Sequence, residues 1–201
     1  MKNFNATSNK FWQSVLLVLL IGLFPKSIFS QNLPMSDFVI FGGNGTTGCT
    51  SPSSPGYGVI VGASSTINGG SLGTYTLFQT NANATLNSNI HSGGKITLSN
   101  NVTVTGKISA ANTQNFSSTI LTAGSNTIVG GNIDVKGNIT ISSGTISGRV
   151  THPNGTSYSG PSPAGGNVTG TPTLPTLPAL PAITTFPSYG NSNISSTTTI
   201  T

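Results

Sequence analysis

The chain has 201 residues, of which only 4% are charged, with seven Lys or Arg against two Asp or Glu. This composition excludes a nucleic-acid-binding surface, which needs clustered basic side chains to neutralise phosphates. A single cysteine excludes a disulfide framework. The two carboxylates, Asp37 and Asp134, lie far apart in the sequence, so the carboxylate pair of common glycoside hydrolysis is not predicted.

Residues 1–30 have the organisation of a secretory signal peptide. Lys2 and Lys10 precede the apolar run Val15–Phe24, and Ser30 offers a small residue for cleavage before Gln31. The run is shorter than the roughly 20 residues that span a bilayer. We therefore expect a secreted or cell-surface protein with no membrane span once the signal is removed. An uncleaved N-terminal anchor is the alternative.

Residues 31–83 are predicted to form a β region that caps the repeat region at residues 84–150. Its short apolar runs, Asp37–Phe41, Tyr57–Val61 and Thr74–Phe78, are predicted strands. Two glycine motifs in this region, Gly43–Gly48 (G-x-G-x-x-G) and Gly69–Gly73 (G-x-S-x-G), resemble a nucleotide-binding loop and a nucleophile elbow. Both motifs require a helix directly after them. Because no helix is predicted there, we assign neither of them a site.

Residues 84–150 repeat a six-residue phrase that predicts an all-β fold, a right-handed parallel β-helix or β-solenoid. Each phrase places apolar residues at positions i and i+2, as in Ile96 and Leu98, with Thr97 between them. Alternate strand residues point to opposite faces, so the apolar pair is expected to face inward and Thr97 outward. Gly or Asn closes most phrases and permits a corner. Three phrases give a three-sided coil of about 18 residues.

Three further segments depart from the repeat. Thr113–Thr119, which includes Phe116, interrupts the register and is predicted to protrude from a corner as a loop that could bind a ligand. Residues 151–187 are predicted to be a Pro- and Gly-rich spacer. Within them Thr171–Pro181 has a proline at every third position, which favours an extended spacer or a strap along the solenoid. Residues 188–201 are predicted to start another β segment.

The outward threonines are the candidate binding residues. Thr97, Thr103, Thr105 and Thr140 are expected on solvent-facing sides of the coil, with Phe116 in the loop as a fifth candidate. A flat threonine ladder can order water or contact a regular surface. The alternative is that threonine is present only because it favours strands.

The phrase Asn132–Gly137 (N-I-D-V-K-G) and its neighbours resemble the repeat of bactofilins and of exported β-helical surface proteins and adhesins of Gram-negative bacteria. The resemblance covers residues 84–150 and implies a non-enzymatic structural or adhesive role, with no catalytic residue, cofactor or metal. Glycans, other surface proteins or a second copy of the chain are the expected partners. Two alternatives remain: an ice- or glycan-surface-binding protein, and the N-terminal part of a polysaccharide-active enzyme.

Overall fold

A computed structural model describes residues 31–43 and 56–179, which form a parallel β-solenoid of about six coils. No α-helix occurs in these two ranges, and a single 3₁₀ turn, Met35–Asp37, precedes the first strand. The predicted signal peptide and the predicted segment 188–201 lie outside the described residues. The handedness of the coil stays a prediction.

Sixteen short strands form the three faces of the solenoid, numbered here in the order in which the chain meets them. Two long strands, β3 (Thr66–Thr74) and β5 (Thr85–Ser92), turn a corner. Their C-terminal halves belong to face 1 and their N-terminal halves to face 3. Face 1 contains β1 (Phe38–Gly42), β3 (Thr66–Thr74), β5 (Thr85–Ser92), β8 (Ile108–Ala110), β11 (Ile133–Val135), β14 (Val150–His152) and β16 (Asn167–Thr169). Face 2 contains β2 (Tyr57–Val61), β4 (Leu77–Thr80), β6 (Ile96–Leu98), β9 (Leu121–Ala123), β12 (Ile139–Ile141) and β15 (Tyr158–Ser159). Face 3 contains β3 and β5 with β7 (Thr103–Val104), β10 (Thr127–Val129) and β13 (Gly144–Ile146).

Every strand pairs in parallel with the strand one coil away, and the register keeps like residues together. On face 1, Ile90 pairs with Ile108, Ile108 with Ile133, and Ile133 with Val150. The repeat length is 17 to 20 residues in most coils, as the separations of partners in neighbouring coils show. The predicted coil of about 18 residues is therefore confirmed.

The inward side chains stack into one continuous apolar core. The pairs that the repeat predicts to face inward are buried, including Ile96 and Leu98, while Thr97 between them is half-buried. Leu86, Val104 and Val129 are fully buried in the same way on face 3. At about 25 cal/mol per Å² of buried apolar area, each of these side chains contributes roughly 1.5–3 kcal/mol. The core exists only between coils, because a single coil leaves its apolar residues uncovered.

Asparagine ladders stabilise the corner between faces 2 and 3. Asn83, Asn101 and Asn126 occupy the left-handed region, with φ of 61°, 58° and 57°. The Nδ2 of Asn101 donates to Oδ1 of Asn83, and that of Asn126 to Oδ1 of Asn101, both at 3.0 Å. The prediction that asparagine turns the corners is thus confirmed, and the side chains also join successive coils.

The predicted strand Thr74–Phe78 is wrong, because the chain turns a corner inside it. β3 ends at Thr74, and β4 begins at Leu77. Thr74 Oγ1 accepts a hydrogen bond from the backbone N–H of Thr76 at 3.1 Å, which closes the turn locally. The predicted strands near Phe38 and Tyr57 are confirmed as β1 and β2.

The parallel ladder extends on both sides of residues 84–150. β1 to β4 stack before this range, and β15 and β16 continue the stack after it. The loop predicted at Thr113–Thr119 is confirmed between β8 and β9, where partners in neighbouring coils lie 25 residues apart. The extra residues lie at a corner, and the parallel pairing of β6 with β9 continues past them.

Residues 171–179, here called the strap, cross the outside of face 1. Thr176 forms a parallel bridge with Asn32, its N–H donates to the carbonyl of Gln31 at 2.9 Å, and its carbonyl accepts from the N–H of Leu33 at 3.2 Å. The hydroxyl of Tyr75 donates to the carbonyl of Pro178, which is buried. The rest of the predicted Pro-rich segment, from residue 180 onward, lies outside the described residues.

Replacing an inward isoleucine should destabilise the solenoid far more than replacing an outward one. Ile108 is 1% exposed between Ile90 and Ile133, so Ile108→Ala should lower the free energy of unfolding by about 2–5 kcal/mol. Ile128, 47% exposed on β10, is the matched control, and Ile128→Ala should cost less than about 0.5 kcal/mol. Urea denaturation measures both, and equal losses would contradict the stacked core.

Candidate functional site

Face 2 carries one row of outward side chains with a threonine in three successive coils. Thr97 pairs with Thr122, and Thr122 with Thr140, so the three lie side by side. Neighbouring coils of a parallel sheet are about 4.8 Å apart, which sets the spacing of these hydroxyls. The full row continues this register in both directions and comprises Ile60, Gln79, Thr97, Thr122, Thr140 and Ser159.

Face 3 carries a second row in the same register. Thr103 is its central member, and Thr105 lies on the same side of the strand because the buried Val104 separates the two. The row that contains Thr103 comprises Thr66, Thr85, Thr103, Ile128 and Thr145. Thr97 and Thr140 therefore belong to one face, and Thr103 and Thr105 to another, so the structure does not join the four predicted residues in one site.

Sequence reasoning missed several members of both rows. Thr122 and Thr85 fill outward positions equivalent to the predicted ones. The signal that could have found them is their place beside an inward apolar residue, as in Leu121-Thr122. The loop before β9 shifts the register of the hexads, so Thr122 escapes a fixed six-residue count.

No charged side chain belongs to either row. Lys95 precedes β6 and lines a cavity with Thr97 and Thr122 beside the row of face 2, whereas Lys107 precedes β8 and Lys136 follows β11. The rows themselves are uncharged, and most of their side chains carry hydroxyl groups, with Ile60 and Ile128 exposed among them. Such an array suits contact with a flat or repetitive partner better than chemistry on a small substrate.

Phe116 is held against the solenoid, and its role as a binding residue stays a prediction. Its ring is half-buried against the core, and Lys95 Nζ lies 4.3 Å from the ring centroid. The side chain of Asn112 closes the loop, accepting from the N–H of Phe116 at 2.8 Å and donating to its carbonyl at 3.2 Å. Lys95 also donates to Ser118. The loop is thus fastened at several points.

Face 1 has an outward row that is buried, a feature that the sequence did not reveal. His91 pairs with Ser109, Ser109 with Asp134, and Asp134 with Thr151. All four are between 4% and 8% exposed. They occupy the positions that are open on the other faces, but the strap covers them here.

Two hydrogen-bonding features stand out in this covered row. His91 Nδ1 and Ser109 Oγ are 2.7 Å apart and share a hydrogen bond. Asp134 Oδ1 is buried with no hydrogen-bond partner among the described residues. A buried polar atom without a partner costs free energy unless a group outside the chain satisfies it.

Burial controls the electrostatics of this row. It lowers the pKa of His91 from 6.5 to about 4, with a smaller contribution in the same direction from Lys107. Burial also raises the pKa of Asp134. The Thr151 hydroxyl, the Arg149 and Lys107 charges and the backbone of Thr173 all oppose that rise.

The structure describes one of the two glycine motifs in full. Gly69–Gly73 lies inside β3, and Gly69 and Gly70 form its corner with φ of 81° and 55°. Most of Gly43–Gly48 lies outside the described residues.

Within 31–43 and 56–179, no three His, Cys, Asp or Glu side chains come together to hold a metal ion. No helix in these ranges has the length and apolar character to cross a membrane.

No family model, curated protein or solved structure matches the chain. The structure shows a parallel β-solenoid. The resemblance to bactofilins and adhesins stays a hypothesis that rests on the sequence repeat.

Acidification should destabilise the fold through His91. Because its pKa is depressed in the folded state, the folded chain binds fewer protons than the unfolded chain between pH 6.5 and about 4. The contribution of His91 to stability is therefore fully present above pH 6.5 and is lost as the pH falls towards 4, by up to about 3 kcal/mol. Urea denaturation across this range measures the loss.

His91→Gln is the control for this pH dependence, since it removes the titrating ring. The loss between pH 6.5 and 4 should shrink in this variant. Asp134 acts in the opposite direction: its pKa is raised, so its contribution is present below its ordinary pKa of 3.8 and is lost as the pH rises through the raised value. The difference between the two proteins isolates His91, and identical pH profiles would contradict its role.

Proposed function

We propose that this chain is an exported, non-enzymatic structural protein of a bacterial surface that makes extended contacts through faces 2 and 3. The observation that carries the proposal is the pair of uncovered faces with uncharged rows in register. The row of face 2 has one member in each of six coils and so extends over roughly 24 Å.

The architecture supports this proposal on physical grounds. Extended faces of stacked coils suit broad, shallow contacts with glycans, other surface proteins or a second copy of the chain. The outward rows of both faces contain no charged residue, so such contacts would depend on hydroxyl, amide and apolar side chains, with Lys95 beside the row of face 2. The signal peptide predicted at residues 1–30 supplies the route of export.

Export can be tested directly in a Gram-negative host. The full chain should be cleaved between Ser30 and Gln31, which mass spectrometry of the purified protein would show. Added protease should reach the product on intact cells. An uncleaved chain that stays in the cytoplasm would contradict the proposal, whereas an uncleaved chain outside the inner membrane would favour the N-terminal anchor.

The contact role of face 2 can be tested with one substitution at the centre of its row. Thr122 is exposed between Thr97 and Thr140, so Thr122→Lys should leave the fold intact and hold a flat partner away. Asn154→Lys, in an exposed turn, adds the same charge elsewhere. Cells displaying Thr122→Lys should adhere several-fold less to a glycan-coated surface than cells displaying Asn154→Lys. Equal adhesion would exclude face 2 as the contact face.

A second candidate function, binding to ice, is favoured by the alignment of Thr97, Thr122 and Thr140. A regular hydroxyl ladder can hold ordered water at the spacing of the coils. Thermal hysteresis and ice-recrystallisation assays on the purified protein should then show activity that Thr122→Lys abolishes. Absence of activity at high protein concentration would exclude this second candidate while leaving the first unaffected.

A further inference from the structure

A cavity of about 280 Å³ lies between the covered row of face 1 and the strap. His91, Ser109 and Asp134 line its buried floor, and Thr173 and Pro175 contribute from the strap. We call this space the strap chamber. Its volume is close to the lower end of ligand pockets, which begin at about 300 Å³, so it suits a single small molecule rather than a polymer.

The edge of the strap chamber is basic and exposed to solvent. Lys107 and Arg149 both line it, and both side chains are exposed. Arg149 Nε donates to Thr151 Oγ1 at 3.2 Å, and this uses one of the five N–H donors of the guanidinium. The exposed guanidinium and ammonium groups of this edge can pair with an anionic group.

The floor of the strap chamber contains a hydrogen-bond acceptor that lacks a donor. Asp134 is 8% exposed, and its Oδ1 has no hydrogen-bond partner among the described residues. Ser109 Oγ and His91 Nδ1 bond to each other, and neither of them is a partner of that oxygen. A ligand hydroxyl placed at the floor would supply the missing hydrogen bond.

The charges exclude the simplest occupants. A metal cation would lie beside Lys107 and Arg149, and no cluster of three metal-binding side chains exists in the described part of the chain. A small inorganic anion would meet the carboxylate of Asp134 and leave its Oδ1 without a donor. One molecule that carries hydroxyl donors for the floor and a carboxylate for the edge would satisfy both parts of the chamber.

We propose that the strap chamber binds one carboxylated sugar residue of the uronic-acid class, with Asp134 accepting from a ring hydroxyl and Arg149 and Lys107 holding the carboxylate. Guanidinium and carboxylate groups pair through two parallel hydrogen bonds, which would fix the orientation of the sugar. The strap forms one wall of the site. This inference is independent of export and of the contacts proposed for faces 2 and 3.

Calorimetric titration of the purified protein with D-galacturonate tests the proposal, with D-galactose and acetate as comparison probes. Galacturonate should bind in the millimolar range or tighter, and at least about tenfold more tightly than either comparison probe. Equal binding of acetate would reduce the chamber to an anion site, and equal binding of galactose would show that the basic edge plays no part. Either result, or no saturation with galacturonate, would overturn the proposal.

Three variants locate the binding. Arg149→Gln, on an exposed side chain, and Asp134→Asn should each weaken galacturonate binding at least about tenfold. Lys136→Gln removes the same charge as Arg149→Gln, and its exposed side chain does not line the chamber, so its affinity should equal that of the unmodified protein. Thermal melting checks that Asp134→Asn remains folded. If Asp134→Asn unfolds, the galacturonate affinity of Arg149→Gln alone tests the site. An equal loss in Lys136→Gln would show a general charge effect and overturn the site.

Discussion

Each coil of this protein is held by its neighbours through parallel backbone hydrogen bonds. The N–H of Ile108 donates to the carbonyl of Asn132 at 2.9 Å, and that of Ile90 donates to Lys107 at 2.8 Å, each one coil away. These bonds fix the register, and the register places the inward side chains above one another. The core, the outward rows and the corner ladders all depend on this one constraint, because a slip of one residue would exchange inward and outward faces.

The corners also contribute to this register. Asparagine side chains at several corners accept backbone N–H groups from the next coil, as when Asn89 accepts from Lys107 and Asn132 from Arg149, both at 2.9 Å. These bonds satisfy donors at places where the ladder is interrupted. The abundance of asparagine in this chain is therefore explained by the hydrogen bonds that join successive coils at the corners.

The strap makes the three faces unequal. The rows on faces 2 and 3 stay open, whereas the equivalent row on face 1 is closed over His91, Ser109 and Asp134. Covering these side chains changes their chemistry, since burial lowers the pKa of His91 and raises that of Asp134. One face thus becomes a lined chamber, and the other two remain flat contact surfaces. A repetitive scaffold acquires a distinct site from a segment that does not repeat.

The sequence by itself determined the solenoid, its coil length and the direction of the side chains, since alternation places Ile96 inward and Thr97 outward wherever a strand forms. It also predicted the loop at Thr113–Thr119 and asparagine at the corners. Only the tertiary structure decided which threonines share a face, because the loop before β9 changes the spacing between Thr97 and Thr122. Only the tertiary structure showed that His91 and Asp134 are buried, because a contact between the strap and face 1 joins residues far apart in the sequence, and no local periodicity records it.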